Sequence, residues 1–540
     1  MGVLFLLLLN NQPNFLIYFI IMINKGAKLM DNSQNNIGLF LQMPVCDGVF
    51  HSEISSDFTL PDYKSEIRKL LSTKVKILPP RQYIGNKSAN TEGEIIYKIL
   101  YVSTDGLLYS ATLSDKYSFN MEFDFDSNSI NTDDITLNCY CECESVSTRV
   151  GGPRRLSIKS KLACHALALS PSMYTPEIIG AYDKSSIERM IVDAPSLLTK
   201  CCESEPITLT DTIATDPQVD NIRIIDSSTN VLISECSASA DKINVRGDVY
   251  LKLLYCNDAQ NDEGLVISRK LPFSTSIFCD GVSNIFEACA SAVITDEDIR
   301  IDDNGISIEL SLKICATAQR NNATPYIQDA YSTKRACSNE SMNLEILKSV
   351  KAFNGNLTHS ESFSLGDIRI DPNARIIDCD VKARINSVVL ENGKTALLGS
   401  CQYQILTYLN GEYSICEASS PMRYECDIRT PSSTNDIRLL FSAPSIISAR
   451  ARNDGEHLFV DCELSFGASL IEKYQINLLH TVNLGELLQK SNGELTLCYP
   501  HNAASLWSIA KQYGEPMDTI RAKNSVSETN DISKKKFLII

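Results

Sequence analysis

Tryptophan occurs once in these 540 residues and histidine only six times. His51, His165, His359, His457, His480 and His501 are scattered and never at ligand spacing, so they announce no metal site. A Gly-x-x-x-x-Gly-Lys-Ser/Thr loop, a His-Glu-x-x-His pair and a Gly-x-Ser-x-Gly elbow are all missing. Those absences remove the common signatures of nucleotide hydrolysis, zinc proteolysis and serine hydrolysis. The carboxylate pairs Asp133-Asp134 and Asp302-Asp303 read as solvated turns before strands. The expectation is a protein that is not an enzyme, with no catalytic residue, no metal ligand and no cofactor. No dense basic patch interrupts a net charge of −16, which argues against nucleic acid as a partner.

Cys-x-x-Cys is also absent, although there are 19 cysteines, an odd number. The tightest cluster is Cys139, Cys141 and Cys143. On a strand, residues two apart lie roughly 6.6 Å from one another on one face. That spacing suits a tetrahedral zinc poorly, because zinc holds sulfur at about 2.3 Å. These cysteines are expected as small core residues, and many unpaired thiols point to a reducing compartment.

A continuous apolar run of membrane-spanning length is missing as well. Leu4 to Leu9 and Phe15 to Ile23 are separated by Asn10, Asn11, Gln12, Pro13 and Asn14, whereas a span needs about 20 residues. A basic start and a small-residue cleavage site are not evident either. Residues 1–29 are therefore expected to be a mis-assigned start, since Lys25-Gly26-Ala27 can be encoded by a purine-rich ribosome-binding sequence ahead of Met30. A membrane anchor and a cleaved signal are the other two readings, and a membrane role requires this leader to be real.

What is present is ordinary globular composition, 44% hydrophobic and 21% charged, arranged in a repeat. Gly247-Asp248-Val249-Tyr250-Leu251-Lys252-Leu253-Leu254-Tyr255 has relatives starting at Gly93 and Gly399, so the glycines lie 154 and 152 residues apart. Constant spacing marks internal duplication. Ile95, Tyr97, Ile99 and Tyr101 alternate with Glu94, Ile96, Lys98 and Leu100, as do the residues after Gly247 and Gly399, which is the period of a strand. The second face, with Lys98, Lys252 or Gln404 followed by Leu100, Leu254 or Leu406, reads as half wet. Asp105-Gly106 and Asn410-Gly411 predict tight hairpin turns, and the second copy has a longer loop from Asn257 to Gly264. Leu156-Ser157-Ile158-Lys159, Ile306-Ser307-Ile308-Glu309 and Leu458-Phe459-Val460-Asp461 follow the glycines by 63, 59 and 59 residues and predict a late strand in each unit. Ile67, Leu70 and Leu71 suggest a short amphipathic helix before a strand at Val75 to Ile77. Asp216 to Val219 and Leu365 to Ile368 stand at comparable places, and Asp183 to Thr212 reads as extra strands or bracing elements between units.

Leu60-Pro61-Asp62-Tyr63, the strand from Glu92 to Val102, and Val150-Gly151-Gly152-Pro153-Arg154-Arg155-Leu156-Ser157-Ile158-Lys159 together resemble the SPOCS domain, a family of spore-forming clostridia and bacilli often found in tandem copies. Arg154-Arg155 is either a solvated pair or a basic spot for a partner. The expected fold is mainly β: three tandem β-rich, sandwich-like repeats and a small βααβ domain. The expected divisions are a leader (1–29), an N-terminal arm (30–57), repeats at 58–211, 212–361 and 362–480, a linker (481–495) and a final domain (496–540).

In that final segment Leu506, Ile509, Ala510 and Tyr513 make one helical face, with Ser505 as N-cap and Gly514 as stop. A second helix is expected from Pro516 to about Lys523, with Met517 and Ile520 inward. Leu497 to Tyr499 and Phe537 to Ile540 supply flanking strands. Ser505 to Gly514, Ile520, Asn524 and Phe537 to Ile540 resemble a LysM domain in order and spacing. Alanine-alanine-serine at 503–505 and the three lysines at 534–536 depart from its usual pattern. The resemblance implies a groove for N-acetylglucosamine polymers formed by Asn502, Ala503, Ala504, Ser505, Leu506 and Trp507 with Asn524, Ser525 and Val526. Trp507 itself reads either as a half-buried helix residue or as a contact for a partner or sugar. Residues 496–540 hold six Lys/Arg and four Asp/Glu, a net of +2 that leaves −18 on the rest, so an acidic protein suits the segment as well as a glycan.

Tandem SPOCS-like repeats ending in a LysM-like module resemble clostridial spore-coat morphogenetic proteins. That resemblance implies a non-enzymatic assembly scaffold in the mother-cell cytoplasm at the forespore and spore coat, recruited to a coat basement-layer protein. The alternative is an extracytoplasmic protein at the cell wall that binds peptidoglycan.

Overall fold

The computed structural model describes residues 39–85, 87–123, 135–180, 186–214, 222–257, 264–302, 305–391, 394–429, 437–489, 496–500, 505–526 and 536–540. The leader, Asp133-Asp134, Asp303, Asp216 to Val219, most of the Asn257 to Gly264 loop, and Asn502 to Ala504 lie outside the described residues.

The chain is mainly β. A first sandwich uses β1 (Leu39–Thr59), β2 (Ile67–Ile77), β3 (Arg81–Ile84), β4 (Ser88–Ser103), β5 (Leu108–Glu122), β6 (Thr136–Gly152) and β7 (Arg155–Tyr174). One sheet is the meander β2-β4-β5, with β3 continuing β2 along β4, and the other runs β1-β7-β6. After β8 (Glu177–Ile179), a second sandwich uses β9 (Ile187–Glu203), β10 (Ile207–Ile213), β11 (Ile222–Ser239), β12 (Lys242–Asn257), β13 (Leu265–Phe278), β14 (Glu287–Asp302) and β15 (Gly305–Ser332). Its meander is β11-β12-β13, and β15 pairs with β14 on one side and with β9 and β10 on the other. The third comprises β16 (Arg335–Ser364), the one-turn helix α1 (Leu365–Ile368), the meander β17 (Arg375–Glu391), β18 (Lys394–Leu409) and β19 (Glu412–Arg429), then β20 (Ile437–Asn453) and β21 (His457–Leu487). Its second sheet runs β16-β21-β20, with β8 added parallel to β21.

The alternation along β4, β12 and β18 fixes the inner faces. Ile95, Tyr97, Ile99, Val249, Leu251, Leu253, Cys401, Tyr403 and Ile405 are all at most 1% exposed and sit in three separate cores. The repeated glycine marks a close approach. A Cβ on Gly247 would lie 2.1 Å from the Leu232 carbonyl oxygen, one on Gly399 2.0 Å from that of Arg384, and one on Gly93 2.4 Å from the Tyr117 ring. The first two face β-bulges, at Ile233/Glu235 and Ile385/Ser387. Asn410 and Gly411 both take positive φ, 52° and 85°, between the paired residues Leu409 and Glu412. Arg154 donates to the Pro61 carbonyl at 3.0 Å, and Leu60 N donates to Arg154 O at 2.8 Å, so two of the three motifs that carry the SPOCS resemblance touch.

Several expectations change. No helix forms at Ile67 to Leu71, because β2 already pairs with β4 there; bulges at Ile67/Lys69 and Leu70/Ser72 shift the apolar residues off period two and imitate helical spacing. At Asp105-Gly106 only the glycine takes positive φ, 89°, and Gly106 N bonds Ser103 O while the Asp105 carboxylate takes the Ser103 hydroxyl. Unit limits also move. β1 begins inside the expected N-terminal arm, β9 and β10 pair into the second sandwich, residues 335–361 pair with β21 of the third, and β21 runs into the expected linker. A repeat counted from an internal glycine cannot reveal which sandwich takes the preceding strand.

The largest change concerns the face expected to be half wet. Leu100, Leu254 and Leu406 are 5%, 4% and 3% exposed and pack together with Val102, Leu108, Ile225, Cys256 and Tyr413 in one cluster shared by all three meanders. Beside it lies a charge network. Lys74 of the first sandwich meets Asp226 of the second at 2.7 Å and Asp380 of the third. Lys252 meets Asp378 at 2.8 Å and Asp380 at 3.0 Å. Lys76 and Lys98 both bind Glu297 of the second sandwich at 2.9 Å, and Arg384 of the third binds Glu142 of the first. Burial alone would raise the Glu297 carboxyl, but the two lysines and Thr229 outweigh it and bring it to about 2. In the same way burial opposes the Lys74 ammonium, and Asp380 and Asp226 push it above its usual range.

Past this junction the strand pairs β1-β7, β9-β15 and β16-β21 continue together. β15, β16 and β21 have 28, 30 and 31 residues, or about 100 Å of extended chain for the longest. Leu41, Ala194, Tyr326, Leu344, Ile346, Ile476 and Leu478 bury one another along this extension.

Two outcomes follow from the network. Lys74→Met leaves Asp226 and Asp380 without their shared cation and should destabilise the joined body by about 3 kcal/mol, read as an early separate transition in denaturant unfolding. Glu297 is depressed in the folded state, so its contribution is complete above about pH 4.3, the ordinary glutamate value. It should fade as pH falls towards about 2, which an acid titration of wild type against Glu297→Gln would detect.

Candidate functional site

The last described residues form a small module. β22 (Leu497–Cys498) pairs antiparallel with β23 (Leu538–Ile539), and α2 (Leu506–Tyr513) and α3 (Met517–Asn524) lie between them in sequence. Local chemistry sets both helices. Ser505 and Ser508 make a reciprocal capping box at the start of α2, and Gly514 ends it at φ 64°. Leu506, Ile509, Ala510, Ile520 and Leu538 form the core.

The module is seated on the end of β15, beside the turn that leads into β16. Trp507 Nε1 donates to Asp329 Oδ2 at 2.8 Å, and Lys511 Nζ binds both Asp329 oxygens at 2.7 and 2.8 Å. The Trp507 ring meets Tyr331 edge-on with centroids 4.9 Å apart. Tyr331 is 1% exposed and its hydroxyl donates to the Glu515 carbonyl at 2.8 Å. Burial would raise the Asp329 carboxyl, but hydrogen bonds from Lys511 and Trp507 hold it below its usual value.

Of the groove residues expected from sequence, Leu506 is wholly buried and shares the module's apolar cluster with Trp507 and Val526. Asn524 is a clasp: its amide nitrogen donates to Ile520 O and Ile539 O at 2.8 and 2.7 Å, and its oxygen accepts from Ile539 N at 2.7 Å. Ser505 is the exposed N-cap of α2, and Ser525 is exposed with φ 49° at the end of α3. Asp329, Tyr331 and Lys511 were not anticipated; the one signal for them was the placement of Trp507 and Lys511, four residues apart, outside the apolar stripe of α2. On another side of the module Leu497, Tyr499 and Phe537 remain 41%, 68% and 43% exposed, with the two rings 6.4 Å apart.

Thiols supply no alternative site of this kind. None of the 19 cysteines is joined in a disulfide, and Cys143 is buried while Cys139 and Cys141 pack half-buried against the first core. Among the described residues no three His, Cys, Asp or Glu side chains are placed to hold a metal ion.

Residues 220–302, which cover the second meander and β14, match the family model described as SipL, SPOCS domain. Over those residues the chain is similar to the SPOCS domain. No curated protein matches the chain.

Because Trp507 is unique, its fluorescence reports on the seat. Asp329→Ala removes charge-assisted hydrogen bonds worth about 1.5–3 kcal/mol and should red-shift the emission and speed proteolysis between the module and β21. Wild type should show the same red shift only as pH falls below about 3.9, where an ordinary aspartate protonates.

Proposed function

We propose that the protein is a non-enzymatic scaffold for assembly of the spore coat or envelope, working in the mother-cell cytoplasm at the forespore surface. The observation that carries this reading is the SPOCS match within a body whose three sandwiches are fastened to one another by buried ion pairs. Its most perturbed carboxylates, including Glu297 and Glu142, face lysine, arginine or histidine across or within that junction, which is a holding role. The sandwiches on either side of the matched segment share its strand plan and are read as further SPOCS-like copies, and the C-terminal module as LysM-like.

Recruitment is assigned to the C-terminal module and a protein partner, a coat basement-layer component. With Trp507 turned onto Asp329, the side open to a partner carries Leu497, Tyr499 and Phe537 next to Lys536, on a segment of net charge +2. An acidic protein surface with an apolar centre fits that side. Several contact surfaces on one rigid chain raise local concentration, so a modest module contact suffices to localise the whole.

The second reading is peptidoglycan binding outside the cell, favoured by the LysM-like order of residues 505–540 and by exposed aromatic rings suited to stacking on sugars. A fluorescent fusion in sporulating cells of the source organism separates the two. The scaffold predicts a shell around the forespore that is lost when residues 496–540 are removed and weakened by Tyr499→Ser with Phe537→Ser. Normal localisation of the truncated chain, or wall labelling in cells that never sporulate, would contradict it.

A further inference from the structure

The three sandwiches leave a cavity of about 690 Å³ between them. That volume lies in the range of small-molecule sites, which favour domain junctions. All three contribute wall: Lys76 and Lys98 from the first, Cys201 and Glu297 from the second, Lys382 and Arg384 from the third. Cys201 keeps an exposed surface although burial pushes its thiol up to about 12, as fits a side chain facing an internal space.

The charge of this wall opposes that of the chain. The protein carries −16, yet the wall holds six lysine or arginine side chains and three carboxylates. Glu142 is taken by Arg384 and Glu203 by Lys313, while Lys74 is taken by Asp226 and Asp380. Glu297 must serve both Lys76 and Lys98, which leaves one ammonium in excess. Lys382 donates to the Cys143 carbonyl at 2.8 Å and has no carboxylate in ion-pair range among the described residues. Asn138 adds an unused donor: it is 8% exposed, lines the cavity, and its amide nitrogen has no hydrogen-bond partner. Ile77, Val381 and Ile446 supply apolar wall between these groups. Lys76 and Lys98 are half-buried and Lys382 is exposed on the wall, and a cleft lined by surplus positive charge, with a buried donor beside it, concentrates anions.

We propose that the cavity at the junction of the three sandwiches binds an organic anion, a molecule with an apolar body and a carboxylate, sulfonate or phosphate head directed at Lys76, Lys98 and Lys382. The ligand spans the three units and draws them together.

The test uses the full chain at pH 7 with two fluorescent probes of similar shape, anionic 1-anilinonaphthalene-8-sulfonate and neutral N-phenyl-1-naphthylamine. The expected result is one saturable sulfonate site per chain, with the neutral probe bound about tenfold more weakly. Lys382→Gln should weaken the sulfonate about tenfold and leave the neutral probe unchanged. Displacement by inorganic phosphate would assign a phosphoryl head, and displacement by benzoate a carboxylate; either supports the proposal. Equal affinity for both probes in the wild type, or no saturable binding, overturns it whether or not the variant folds. Unchanged sulfonate binding by a folded Lys382→Gln overturns it as well.

Discussion

Lys74 lies between two carboxylates that belong to the other two sandwiches, and the rest of the architecture depends on that arrangement being satisfied. A desolvated ammonium or carboxylate is costly unless paired, and breaking such a pair leaves the remaining charge buried. Asp226, at 9% exposure, would be stranded in this way if the Lys74 ammonium were removed while the sandwiches stayed in place. The leucines at 100, 254 and 406 add an apolar reason for the same geometry, because each would face water if its sheet stood alone. Charge fixes which surfaces meet, and burial holds them together. The cavity, the long shared strand pairs and the seat of the C-terminal module all lie within or beyond this junction.

How much of this could be read from sequence depends on the range of the interaction. The inner faces around Ile95, Val249 and Cys401 follow from strict alternation, and the two C-terminal helices from capping and spacing, since both signals lie within a few residues. Asn410-Gly411 forms its turn with both residues at positive φ, whereas Asp105 keeps a negative φ and its carboxylate takes the Ser103 hydroxyl. The first half of β2 was hidden because two bulges break its period there, while its end at Val75 to Ile77 was legible as a strand. The junction face was misread for a different reason: a lysine followed by a leucine looks the same whether its neighbour is water or another sheet. The seat of Trp507 was beyond reach, as its partner Asp329 lies 178 residues away. Of the groove foreseen at the C-terminus, Leu506 and Asn524 serve the module's own core and closure.

These features bear on the scaffold reading together. Separate domains on flexible linkers would present contacts at variable distances, while a body joined by buried pairs presents them at fixed ones. Its surface is strongly acidic and its terminal module mildly basic, so the two ends suit partners of different charge. The thiols are nearly all buried or half-buried, and those in the three cores act as small packing groups.

The most direct test of the central claim is small-angle X-ray scattering of the full chain at neutral pH and moderate salt. If the three sandwiches are fastened through the Lys74 and Lys252 network, the curve should fit one joined, elongated body, and its distance distribution should show a single main maximum. Separate maxima at the spacing of independent domains, as from beads on a string, would contradict it.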